Sequence, residues 1–585
     1  MEFAIDNSFF HQDLNGLKVL AIVPHEDDEI NTCGALLKNL TECGANVILV
    51  YTTNGDWKYP ALTRMKEAKE SASLIGIKEN NIFFLGYGDA INNDEHNHIF
   101  YTMDAPTKSA SGHSETYGTK LYQDYSFKIS GKHHSYIRKN FLNDIIHVVE
   151  TERADLLICT DFDEHPDHRM LSLLFDQAVG IVCKNYPDYR PEIWKRFAYS
   201  LAYTAVPDYC AINNAETKRP DIETTGKYAF DFIDKSIYSW KERIRIPVPF
   251  SECENIRTNF ITKALLKHKS QYIITHADRI INSDEVYWRR RTDNLAFTAS
   301  VTTSSGEGSF LNDFSVYGTK DVDSLVPIFS DYFWRPDDND DEKRVEISWN
   351  SPQHIEQIVL YGTIDSESKV KELSIQLDDG YTCTVKDIPG DGSPQYIDVG
   401  SHDSITHCTI KIISYEGLNY GLSECEIYSK ATVCSHIKPF IKIISNDNFL
   451  YEHLIGEGTE TISLDIYQFG VDAEECQFEV LKGNSRIEEK KLYVDPSDKE
   501  IVIRCTSPSM NVYDQIKVKR LTDQEYSSRR REVLRDREFL NSKRRLMKFH
   551  NMFYILSKQG PYAVVKRTVK NILLPRLRKK KHGKQ

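Results

Sequence analysis

Two apolar runs in this 585-residue chain each lead into a tight cluster of histidine and acid. Val19-Leu20-Ala21-Ile22-Val23 runs into Pro24-His25-Glu26-Asp27-Asp28-Glu29, and Leu156-Leu157-Ile158-Cys159 is followed by His165-Pro166-Asp167-His168. A helix-like pattern follows each cluster, over 29–40 and 168–182. Strand, cluster and helix in that order put both clusters at the carboxyl ends of buried strands, where an open α/β sheet gathers its ligands. Further strand-like runs at 47–53, 82–85 and 198–203 alternate with helix-like runs at 64–74 and 136–152. This alternation predicts a parallel sheet covered on both faces over roughly 1–290. A polar insert at 89–132 interrupts it and is expected to form a substrate wall.

The chemistry of the clusters is that of a metal-dependent hydrolase. His25 and Asp28, three residues apart at a strand-to-helix turn, can place both side chains on one ion, and His168 can supply a third ligand. Two histidines and a carboxylate suit Zn²⁺ with water in the open position; the same donors suit Fe²⁺. Asp27, beside the ligands, is the natural general base for that water. His165, three residues before His168, is placed to stabilise an oxyanion or protonate a leaving amine. The competing reading is helix capping by Asp27, Asp28 or Asp167. It accounts for either cluster alone, but not for both at corresponding strand ends of one domain.

These residues, with Thr53-Asn54-Gly55-Asp56, Arg64-Met65-Lys66-Glu67-Ala68, Phe84-Leu85-Gly86-Tyr87-Gly88-Asp89, Ser270-Gln271 and Asp284-Glu285-Val286-Tyr287-Trp288, resemble the PIG-L/LmbE-like de-N-acetylase family. The resemblance spans about the first 290 residues. It implies a Rossmann-like fold, zinc on His25, Asp28 and His168, Asp27 as base with His165 assisting, and release of acetate from an N-acetylglucosaminyl conjugate. Asn54 and Arg64 fall where the family's substrate loops lie, Arg64 able to grip a phosphate or sugar hydroxyls through its planar fork; a surface arginine near a helix start, paired with Glu67 or Glu70, is the alternative. Glu26 departs from the family, in which many members have Pro, and is expected to alter the turn and not the chemistry. Histidines of the insert (His96, His98, His113, His133, His134) are irregularly spaced and read as solvated loop residues.

From about 290 the pattern becomes short, alternating and punctuated by Gly, Asp and Pro, which predicts all-β sandwiches. Residues 291–430 resemble a discoidin-like galactose-binding domain through Val301-Thr302-Thr303-Ser304-Ser305, Trp334 and Gly421-Leu422-Ser423-Glu424. That resemblance implies a glycan ligand, with Tyr332 and Trp334 as either stacking or core residues; a structural spacer is the alternative. Residues 431–523 read as an immunoglobulin-like sandwich on pattern alone.

The last segment, 524–585, is basic and helix-permissive until Gly560-Pro561. It carries 19 Lys and Arg against 4 Asp and Glu, in a chain whose net charge is −13. Interleaved basic and bulky apolar residues suit an anionic membrane surface better than nucleic acid. The alternative is a helix packed on the β domains. The amino terminus lacks the pattern of a signal peptide, no long apolar span occurs, and twelve Cys are scattered without CxxC pairs. The combined expectation is a cytoplasmic deacetylase, peripheral at the inner membrane face, acting on an amino sugar that is lipid-linked in envelope glycan synthesis. A hydrolase of a different amide, or a glycan-binding adaptor with a vestigial catalytic domain, are the competing readings.

Overall fold

The computed structural model describes residues 13–89, 106–161, 165–198, 212–213, 243–247, 255–276, 284–316, 333–363, 365, 367–390, 394–431, 440–450, 452–469 and 471–568. Its first unit is a seven-stranded sheet in the order β3-β2-β1-β4-β5-β7-β6. The strands are β1 (Lys18–Val23), β2 (Asn46–Thr53), β3 (Ile82–Tyr87), β4 (Leu156–Thr160), β5 (Glu192–Arg196), β6 (Arg243–Pro247) and β7 (Asp284–Arg290). Strands β1 to β5 are mutually parallel, and β7 and β6 extend the sheet antiparallel. Alternate residues of β1 feed opposite faces. Val19, Ala21 and Val23 join one core with α1 (Asp28–Glu42), α2 (Ala61–Ile75) and α6 (Phe260–Leu265). Leu20 and Ile22 join a second core with α4 (Arg138–Glu152) and α5 (Pro166–Asn185). A short α3 (Tyr125–Ser130) closes the described part of the insert. Burial on both faces explains why β1 and β4 read as unbroken apolar runs.

The fifth strand of the described sheet lies at Glu192–Arg196; of the predicted run 198–203, residues 199–203 fall outside the described residues. Its charges disguise it. Lys195 is fully buried, with Nζ 2.9 Å from Asp176 and 3.7 Å from Asp161, and Arg196 lies 3.1 Å from Glu285. Glu285 also repairs a break in α1. The helix leaves helical geometry at Cys33, and the amides of Ala35 and Leu36 donate to the Glu285 carboxylate at 3.1 and 3.0 Å. On the other side of the break, Thr32 O accepts from Arg196 and from Tyr287 OH, each at 3.3 Å. A kinked helix thus keeps its polar backbone satisfied through the two strands beneath it.

Antiparallel β structure follows. Strands β8 (Ser300–Thr303), β9 (Arg344–Gly362), β10 (Lys369–Leu377), β11 (Thr382–Lys386), β12 (Pro394–Glu416) and β13 (Leu422–Tyr428) form one six-stranded sheet. Register breaks between Asp398 and His407 let the long β12–β9 pair bend around its core. Trp334 is fully buried there, its Nε1 donating to Ser305 O at 2.9 Å, so it is a core residue; Tyr332 lies outside the described residues. The unit docks on the first through a buried Arg290–Glu426 pair at 2.7 Å. Gly180 of α5 also lies where a Cβ would meet Asp313 O at 2.1 Å.

Strands β14 (Phe440–Ser445), β15 (Asn448–Phe449), β17 (Thr461–Phe469), β19 (Arg486–Glu488) and β20 (Lys491–Tyr493) form a five-stranded sheet. Four more, β16 (Glu452–Gly456), β18 (Gln477–Lys482), β21 (Glu500–Ser507) and β22 (Val512–Leu521), form another. The two share one core, which includes Ile443, Ile462, Ile503 and Val518. Pairing is antiparallel except for β16 with β22.

The chain then enters α7 (Asp523–Thr568), a 46-residue helix that continues through Pro561 where a stop is predicted. Proline's fixed φ is compatible with a helix, and the penalty is the bond its missing N–H would have made. The helix packs on the first unit and, at its start, on β16 and β22 of the last β unit, where Tyr526 lies against Gly456. Val533 and Leu540 enter the first core, and Asp536 accepts from the amides of Ile256 and Arg257 at 3.1 and 3.3 Å.

Glu285 is nearly solvent-free and satisfies Arg196, two helix amides and Tyr287 OH together. Glu285→Ala strands a buried guanidinium and is expected to cost about 3–5 kcal/mol. A fall in the first cooperative transition of a denaturant melt checks this, and an unshifted transition contradicts it.

Candidate metal centre and active site

Neighbouring parallel strands bring the two clusters together. Pairing of β1 with β4, Val19 with Leu156 through Ile22 with Cys159, ends both strands at the same edge. The turn after β1 then faces the amino end of α5. Asp28 Oδ2 lies 3.0 Å from His25 Nδ1 and 3.1 Å from His168 Nε2, and the two ring nitrogens are 3.3 Å apart. Metal–ligand bonds of about 2.0–2.1 Å in a tetrahedron place neighbouring donors about 3.3 Å apart. The three atoms therefore form a face that fits a small divalent cation, and all three residues are buried.

An outer layer fixes these donors. His25 Nε2 lies 3.0 Å from Asp167 Oδ2, which fixes the ring with Nδ1 on the shared face. Asp167 therefore orients the His25 ring. His165 is the cap of α5: its Nδ1 accepts the Asp167 amide at 3.2 Å, which leaves the ring proton on Nε2. Burial, and then the neighbouring His25 and His168, hold His165 well below the usual histidine range, so it is a neutral N–H donor. Asp28 lies well below the usual carboxylate range: burial opposes its ionisation, but His168 and His25 outweigh it.

Asp27 and His165 are the members of the cluster that retain some exposure, with side chains 13% and 12% accessible. Asp27 is the residue before α1, but its side chain makes no capping bond, so capping does not explain it. Its φ of +154° is a conformation that a residue with a Cβ seldom adopts, a strain that persists where the surroundings enforce it. Burial and the adjacent Asp28 push its carboxyl up to about 6, with Arg64 pulling the other way.

Arg64, on α2, is buried beneath Asp27. Its Nη2 donates to Glu26 O at 2.9 Å and to Asp27 Oδ1 at 3.2 Å, and lies 3.4 Å from Glu26 Oε2. The guanidinium thus braces the turn and the aspartate. Glu26 is solvent-free, and burial pushes its carboxyl up to about 8 despite Arg64. Gly55 admits this packing: a Cβ there would lie 2.3 Å from Glu26 Oε2. Asn54 is likewise buried, its Nδ2 donating to Tyr117 O at 2.9 Å, so it ties β2 to the insert.

Several contributors escape sequence reasoning. Asp89, at the end of β3, groups with His25, His165 and Asp167, with one donor atom from each within 4.8 Å of the others. Asp56 holds it in place, accepting the Asp89 amide at 2.8 Å and bonds from Tyr117 and Ser111. His268, after α6, is buried on Glu29 at 2.8 Å, and Gln271 donates to Glu26 O at 2.9 Å. Asp89 and Asp167 lie within the motifs that carry the family resemblance; nothing in sequence ties His268 to the turn. Of the insert histidines, His133 and His134 pair with Asp124 and Asp144 at 2.9 Å, His113 stacks on Tyr117, and His96 and His98 lie outside the described residues.

The GlcNAc-PI de-N-acetylase (PIG-L) family matches residues 20–179, and a domain of unknown function, DUF7402, matches 294–428. Diacetylchitobiose deacetylase of Thermococcus kodakarensis is 26% identical over 176 residues, 28% of this chain and 49% of that protein. The chain thus spans about half the length of that curated relative. Among solved structures, the N,N'-diacetylchitobiose deacetylase of Pyrococcus horikoshii is 25% identical over 32% of this chain and 56% of its own, with a TM-score of 0.20. A deacetylase of teicoplanin biosynthesis is 16% identical over 47% of this chain and 99% of its own, with a TM-score of 0.28. Residues 20–179, which carry both clusters, are a domain of the GlcNAc-PI de-N-acetylase (PIG-L) family.

Proposed function

We propose that this chain is a metal-dependent N-deacetylase that removes acetate from an N-acetylglucosaminyl conjugate. The observation that carries the reading is the three-donor face of His25, Asp28 and His168 with Asp27 and His165 partly accessible beside it. The deacetylase activity named for the relatives supports the choice of bond. Zinc is the cation proposed, since two histidines and a carboxylate suit it; Fe²⁺ is the other candidate. When bound, such a cation supplies Lewis acidity that acidifies water and polarises a carbonyl.

The residues do the rest. Asp27, braced by Arg64, takes the proton of the attacking water; a carboxyl raised toward neutrality is a stronger base than an ordinary aspartate. His165, neutral and protonated at Nε2, donates to the oxygen on which negative charge develops. The C–N bond then breaks, and the proton held on Asp27 passes to the leaving amine. Acetate and a free amino sugar result. Arg64 acts here as a positioning residue, and Asn54 holds the adjoining loop.

The wider assignment is an enzyme of envelope glycan synthesis acting on a lipid-linked amino sugar, cytoplasmic and peripheral at the inner membrane face. We read 1–290 as the catalytic domain, 291–430 as a discoidin-like sandwich able to take a glycan, 431–523 as an immunoglobulin-like sandwich and 524–585 as the basic tail. No described helix is long and apolar enough to cross a membrane.

Acetate release from N-acetylglucosaminyl substrates, with bound metal measured in parallel, tests the reading. Asp27→Asn should keep the metal and lose about 10²–10⁴-fold in turnover, whereas His168→Ala should lose both. Full turnover in Asp27→Asn would falsify the role given to that residue. Arg64→Lys, which keeps the charge but not the fork that spans Glu26 and Asp27, should lower kcat about 10–100-fold with metal retained. A rise in KM alone would instead make Arg64 a substrate-binding residue.

A further inference from the structure

Helix α7 has two unlike faces over its second half. Met547, His550, Asn551 and Tyr554 face the first unit. Thr275 Oγ1 meets Met547 Sδ at 3.6 Å, Tyr59 OH meets His550 Nε2 at 3.3 Å, and Lys58 Nζ donates to Asn551 Oδ1 at 2.8 Å and sits over the Tyr554 ring. On the other side, Leu546, Phe549, Phe553 and Leu556 follow one another at the spacing that lines up on a helix. They are 54%, 58%, 61% and 41% exposed. From 541 to 585 the sequence holds fourteen Lys and Arg and no Asp or Glu.

The loop that receives the helix also belongs to the active site. Asp56 accepts the Asp89 amide, and Asp89 groups with His25, His165 and Asp167. The next residue, Trp57, is 55% exposed, and Lys58 and Tyr59 then grip α7. One short stretch of chain therefore joins the catalytic cluster, an exposed indole and the amphipathic helix.

We infer that the outer face of α7, together with Trp57, is a docking surface for an anionic lipid bilayer, and that docking holds the mouth of the site against the bilayer. Bulky apolar side chains enter the headgroup region, basic residues meet acidic lipid, and tryptophan favours that boundary. A second copy of the helix fits the apolar stripe less well, because two segments rich in cations and free of acids would be brought together. Nucleic acid would match the charges but leave Phe549 and Phe553 in water. The benefit to catalysis rests on the proposed deacetylase acting on a lipid-linked substrate; the docking itself does not.

Co-sedimentation of the full chain with vesicles tests this. Binding to vesicles containing phosphatidylglycerol, absent with phosphatidylcholine alone and weakened by salt, is expected. Phe549→Ser with Phe553→Ser should lower vesicle affinity by at least about tenfold, with an unchanged melting temperature and unchanged acetate release from a soluble substrate. Brominated lipid should quench tryptophan fluorescence, and Trp57→Phe should remove most of that quenching. Absence of vesicle binding, or binding insensitive to the double substitution, overturns the proposal. So does retention of a duplex oligonucleotide without vesicles, or a dimer that the double substitution converts to monomer. Vesicle binding is scored without turnover, so loss of the deacetylase reading would leave this result standing on its own.

Discussion

Side-by-side parallel pairing of β1 and β4 is the constraint on which the site depends. The two clusters lie about 140 residues apart in sequence, as the His25–Asp167 hydrogen bond spans 142 positions. Only adjacency of the two strands, both ending at the same sheet edge, sets the turn after β1 against the first turn of α5. A slip in that register would separate the ring of His168 from Asp28, because every donor distance is set by where the strands stop. Fully buried runs on both faces make such a slip costly.

Around this pairing the protein has buried an unusual density of charge. Glu26, Asp27, Asp28, Glu29 and Arg64 lie within or against one turn, with His268 and Gln271 closing it from behind. Isolated charges there would be strongly disfavoured, so each is held by a partner or shifts toward neutrality. Glu26 takes the second course in part, while Arg64 ties the turn to Asp27. The same logic recurs at Glu285, which mends the kink in α1 and balances Arg196. Catalytic geometry and domain stability thus share one buried electrostatic layer.

Much of this was legible in the residues. Apolar runs ending in His and Asp mark β1, β4 and the edge at which His25, Asp28 and His168 come together. What stayed hidden has physical causes. Strand β5 carries Lys195 and Arg196, whose charges meet Asp176, Asp161 and Glu285 from elsewhere in the fold. Asp167 reads as a helix cap, and only the position of His25 reveals it as that ring's partner. Arg64 reads equally as a substrate contact or a surface helix residue, and packing buries it under Asp27. Trp334 reads equally as core or sugar platform until the sheet closes over it. In each case a long-range partner decides the role, and local pattern carries no record of it.

X-ray absorption at the metal edge of the purified 585-residue chain, with metal content measured on the same sample, tests the three-donor face directly. About one divalent ion per chain is expected, with a nitrogen and oxygen shell at about 2.0–2.1 Å that includes two imidazoles. Loss of the bound ion in Asp28→Ala should accompany it. No bound ion, a sulfur-containing shell, or an ion retained after Asp28→Ala would contradict the three-donor face as a metal site.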